Sequence, residues 1–132
     1  MKQLLLVFAG GGLGSCCRFL CAKYIPLLPF LHPSAHSPAG LFPWATFAVN
    51  LSGSLLIGLC YALARHYRIP PELLLLLTTG FCGGFTTFST LSNEMLSLLR
   101  GGHTALFALY ALLSFSLGLG AVFLGHKLGD LL

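Results

Sequence analysis

The sequence predicts an all-α membrane protein, a single domain over residues 1–132 with four transmembrane helices, and three observations lead there. Only 8% of the residues are charged, where a soluble domain carries about 25%. Hydrophobic residues make up 56% of the chain, and mean hydropathy is +0.89. Segments near 4–24, 43–64, 73–98 and 104–124 each supply the about 20 apolar residues that cross a hydrocarbon core of roughly 30 Å. This balance excludes a soluble enzyme and a disordered chain. It also excludes a nucleic-acid partner, because the seven Lys and Arg residues are scattered and make no stripe that could follow phosphates.

The first span is bounded by Lys2 and Lys23. Its apolar run continues to Leu20 without a small-x-small stop, which argues against a cleaved leader. Gly10 and Gly14 stand at the spacing that lets two helices approach closely. Arg18 lies one turn further on the same face and has two readings: it snorkels to the interface, or it holds the anionic end of a neighbouring helix. Pro26, Pro29, Pro33, Pro38 and Pro43 mark 26–43 as a loop. His32 and His36 in that loop have no Cys or carboxylate beside them and make no metal site.

Thr46, Asn50, Ser54 and Tyr61 share a face of the second span. Asn50 is expensive to bury, and serves either as interhelical glue or as a contact for an ion. Arg65, His66 and Arg68 close this span, and Pro70 and Pro71 separate it from the third.

The third span is the most informative. From Thr78 to Thr90 it reads Thr-Thr-Gly-Phe-Cys-Gly-Gly-Phe-Thr-Thr-Phe-Ser-Thr. At 100° per residue Thr86, Thr87, Ser89, Thr90, Asn93 and Glu94 form one arc, and Phe85, Phe88, Leu91, Met95 and Leu99 the other. Gly80, Gly83 and Gly84 predict a break, since glycine costs about 1 kcal/mol in a helix interior. Carbonyls freed in lipid must then find a donor or a cation. In the fourth span Tyr110, Ser114 and Gly118 recur every fourth residue, which by itself reads as packing.

Lys2, Arg65, Arg68 and Lys127 fall on one side of a four-span chain, against Lys23 and Arg100 on the other. So small a bias orients the chain poorly and is the basis for expecting dual insertion. The five cysteines read as small core hydrophobes. With no acid/base pair, no activated nucleophile and no phosphate loop, catalysis is not expected. Hydroxyls, an amide and the positive edges of Phe rings suit a small anion. Four short helices do not enclose a pore alone, so association is expected.

Gly10 to Arg18, Asn50 to Gly58, Thr79 to Thr90 and the following Glu94 together resemble the CrcB-type fluoride channels, the Fluc family, over essentially the whole chain. The resemblance implies an antiparallel homodimer of oppositely inserted subunits, with two pores at its interface. It implies a structural sodium ion held by the backbone carbonyls of Gly83 and Thr86. Asn50, Phe88, Ser89, Thr90, Tyr110 and Ser114 take the pore positions, while Arg18, Gly10, Gly14 and Glu94 take structural ones. Leu91 stands where the family has a second pore phenylalanine, keeping the wall apolar but losing the ring edge; Phe85 is the nearby substitute. The implied activity is passive, selective export of fluoride from the cytoplasm, relieving its toxicity, in a multi-pass protein of a bacterial inner membrane. The rivals are a small proton-coupled drug exporter, which wants a carboxylate that the first span lacks, and a non-conducting structural subunit.

Overall fold

The computed structural model describes residues 1–27 and 38–132, and the regular elements among them are helical. They are α1 (Lys2–Tyr24), a 3-10 turn (Ile25–Leu27), α2 (Pro38–Leu41), α3 (Trp44–Tyr67), α4 (Pro71–Leu75), a π-helical segment (Leu76–Cys82), α5 (Gly83–Phe85), α6 (Phe88–Arg100) and α7 (Thr104–Leu131). Four stretches are long and apolar enough to cross a membrane: α1, α3, Pro71–Arg100 and α7. Within 26–43 the 3-10 turn and α2 are helical rather than loop. The rest of that expected loop, with Pro29, Pro33, His32 and His36, lies outside the described residues.

Local chemistry sets the ends. Arg65 and His66 occupy the last turn of α3, where cations complement the helix dipole. Arg68 then adopts a left-handed φ of 48°, and Pro71 opens α4 at a position where its missing N–H costs nothing. At the end of α6, Gly102 turns the chain with φ 78°, and the His103 amide donates to the Leu98 carbonyl at 2.9 Å. This closure satisfies a carbonyl that the helix would otherwise leave open.

The interruption in the third span lies at two threonines. Thr86 (φ −79°, ψ 158°) and Thr87 (φ −149°, ψ 117°) are extended. Gly80, Gly83 and Gly84 are themselves helical. β-Branched side chains favour extended backbone, while the glycines are held by the neighbouring helix. A Cβ on Gly84 would overlap the backbone of Gly11, and one on Gly10 or Gly14 would overlap that of Leu76 or Phe81. A polar arc drawn at a constant 100° therefore does not continue through residues 86–87.

α3 and α7 pack equally closely through Gly58 against Val122 and through Gly125 against Leu55 and Leu59. Phe42, Leu98 and Tyr110 form the buried cluster, joined by Trp44, Phe47, Leu91 and Met95. The Phe42 and Tyr110 rings meet edge-on at 5.1 Å. Outside, Leu4, Phe8, Phe19, Phe115 and Phe123 are exposed, as a surface facing acyl chains requires. Lys2 pairs with Glu72, Arg65 with Asp130, and the Tyr67 hydroxyl donates to the Leu132 carbonyl. Both termini and the α3–α4 connection thus share one end of the bundle.

Candidate functional site

An open groove of about 830 Å³ runs between α3, the third span and α7. Polar lining comes from Asn50, Ser54 and Tyr61 on α3, from Thr78, Thr79, Thr86 and Thr87 around the interruption, and from Ser114 on α7. Its apolar wall includes Phe88, Leu91 and Met95.

Asn50 fixes the interruption. Its Oδ1 accepts from the Thr87 amide at 2.8 Å, and its Nδ2 donates to the Thr87 carbonyl at 3.1 Å. Thr87 in turn caps α6, its Oγ1 accepting from the Thr90 amide at 3.3 Å. The Thr87 and Thr90 amides are thereby diverted from the α-helical turns they would close onto Gly83 and Thr86. Both carbonyls are left without their helical donors, on residues that line the groove. The Cys82 carbonyl keeps its partners, accepting from the amide and the hydroxyl of Thr86, each at 2.9 Å.

Arg18 holds the end of the helical run before the interruption. Its Nε donates to the Gly84 carbonyl at 3.1 Å, and the Ser15 hydroxyl reaches the same oxygen at 3.4 Å. Glu94 accepts from the Thr46 hydroxyl at 2.7 Å and from the Tyr110 hydroxyl at 2.8 Å. That carboxylate ties α3, α6 and α7 together.

The remaining candidates fall into groups. Phe88 is 81% exposed at the start of α6, on the groove wall. Ser89 is exposed, 3.3 Å from the Thr87 hydroxyl, and Thr90 accepts from that hydroxyl at 3.0 Å. Ser114 Oγ is buried in the groove wall with no partner among the described residues. Leu91 lines the groove while resting on the Phe42 cluster. Tyr110 is turned away from the groove, fully buried against Glu94 and Phe42. Phe85 is also off the groove: it is 7% exposed, stacked on Phe81 at 5.7 Å and packed against Gly53.

On α6 it is thus the apolar edge that faces the groove, while Ser89 and Asn93 are exposed elsewhere. The capping role of Thr87 and the Thr46–Glu94–Tyr110 link did not emerge from the sequence. Their signals were a threonine directly before a helical run, and a carboxylate in a span that needs donors from neighbouring spans.

The architecture defines a multi-pass helical membrane protein whose polar groove is built around one interrupted span. The chain belongs to the CrcB-like protein family, named also for camphor resistance, whose model matches residues 5–126. It is similar to the fluoride-specific ion channel FluC of Bacteroides fragilis, 48% identical over 132 residues and 98% of each chain. The protein of the same name from Chlorobaculum tepidum is 48% identical over 99% of this chain and 97% of its own. The one from Thermus thermophilus is 43% identical over 100% of this chain and 98% of its own. Family and relatives are named for ion conduction, and the chain is not an enzyme.

Proposed function

We propose that this protein is a fluoride channel that exports the anion passively from the cytoplasm and so limits its toxicity. The observation that carries this reading is the near-full-length likeness, at 48% identity, to a channel named for fluoride. Hydrogen fluoride enters a cell as the neutral acid and dissociates inside. The trapped anion then leaves down the membrane potential, worth about 2.3 kcal/mol per 100 mV. No nucleotide or proton carrier is required.

Fluoride gives up strongly held water only where donors replace it. Asn50 spends one N–H on Thr87, and its amide has a second to offer. Ser114 Oγ lines the groove without a partner among the described residues, and the exposed Phe88 ring presents its positive edge. Ser89 and Thr90 extend the run of hydroxyls beside Thr87. Leu91 keeps its part of the wall apolar.

Pore formation calls for a second copy, and we assign it the opposite orientation, giving a homodimer with two pores in a bacterial inner membrane. Support comes from Thr79, Ser89 and Asn93, which are exposed on a span where polar groups are costly to leave against lipid. The carbonyls of Gly83 and Thr86, deprived of helical donors, suit a small hard cation, and Gly83 has open space where a Cβ would stand. Two copies would offer four such oxygens to one sodium ion, whose chemistry there is to pin the interrupted spans together.

Efflux of fluoride from protein-loaded liposomes under a potassium gradient, with chloride as control, tests this function. Fluoride efflux with chloride retained is expected, and Asn50→Asp, which sets a carboxylate in the anion's path, is expected to stop it. Equal passage of both anions, or of neither, overturns the proposal, and unchanged flux in Asn50→Asp removes Asn50 from the pore.

A further inference from the structure

Two thiols outside the hydroxyl and amide lining face each other. Cys60 on α3 and Cys82 in the π-helical segment are side-chain hydrogen-bonding partners. Cys82 is 2% exposed and lines the groove; Cys60 is half-buried. Among the described residues no group of three or more His, Cys, Asp or Glu side chains comes together. A tetrahedral ion such as zinc, which takes four ligands, is therefore not served. Two thiols alone suit a soft ion that bonds two sulfurs in line.

We propose that Cys60 and Cys82 form a two-coordinate site for a soft divalent cation of the mercuric type, which bridges α3 to the third span. Two S–H bonds break, two metal–sulfur bonds form, and both protons pass to water. Nothing is oxidised or reduced. The dithiolate complex of a divalent ion is neutral, whereas a monovalent ion would leave a net negative charge in an apolar wall, where unpaired charge is costly. The ion would sit at the groove wall and fasten together two elements that frame it.

Mercuric chloride is the probe, titrated against the purified full chain in detergent with a competing monothiol. Cys16→Ala, Cys17→Ala and Cys21→Ala together give a background free of the α1 thiols. In that background we expect a single retained mercury, seen by intact mass with the loss of two protons, and a raised unfolding temperature. Adding Cys60→Ala removes the chelate and lowers affinity by about 10²–10⁴-fold, the gain that a second tethered contact confers. Cys82→Ala gives the same loss; should it fail to fold, Cys60→Ala carries the test alone. Equal retention with and without Cys60, or none in the background protein, overturns the site. Binding is read without any ion flux, so its failure is distinct from failure of the channel assignment.

Discussion

The Asn50 carboxamide pairs with both backbone polar groups of Thr87, accepting from its amide at 2.8 Å and donating to its carbonyl at 3.1 Å. A side chain thus does for one extended residue what a neighbouring β-strand does for many. Asn50→Ala leaves both groups without partners inside a span, each at a cost of about 1–3 kcal/mol. A clear fall in unfolding temperature, followed by circular dichroism in detergent, is the expected outcome. An unchanged melting curve would mean that the interruption does not depend on this pair.

Thr87 caps α6 through its hydroxyl. Thr87→Ala removes the acceptor for the Thr90 amide and is expected to destabilise the protein by about 0.5–2 kcal/mol, whereas Thr87→Ser keeps the cap. Chemical denaturation of both variants in the same detergent separates the cap from the methyl group.

Glu94 links Thr46 and Tyr110. Tyr110→Phe and Glu94→Gln each break part of the link, and because the two side chains touch, their effects do not add. A double-mutant cycle is expected to give a coupling energy of about 0.5–3 kcal/mol. Additive losses would remove the carboxylate as the tie between α6 and α7.

Gly58 and Gly125 let α3 and α7 touch backbone to backbone. Gly58→Ala or Gly125→Ala forces the helices apart and is expected to cost about 1–3 kcal/mol. Gly120 has open space where its Cβ would be, so Gly120→Ala serves as the control, neutral or slightly stabilising in the same unfolding assay.

The four spans were legible because lipid imposes one demand, about 20 apolar residues in a row, that composition alone reveals. The family was legible from Thr79 to Thr90 together with Asn50. The place of the interruption was not. Glycine propensity pointed to Gly80, Gly83 and Gly84, but Gly80 and Gly84 are committed to close contact with α1, and the extended step falls on Thr86 and Thr87. The facing of side chains on α6 was equally hidden, since a helical wheel carried across residues 86–87 assigns the wrong phase to residues 88–100. Pairings such as Thr46 with Glu94 depend on three helices meeting, which spacing along one chain does not encode.

The clustering of Lys2 with Glu72, Arg65 with Asp130 and Tyr67 with Leu132 bears on protein engineering. Because the chain begins and finishes at the same end of the bundle, joining two copies head to tail by a plain hydrophilic tether enforces parallel insertion. A tandem fusion that preserves opposed copies must carry an additional membrane-crossing helix in its connector. Comparing the two tether designs is thus a genetic probe of how paired copies are arranged.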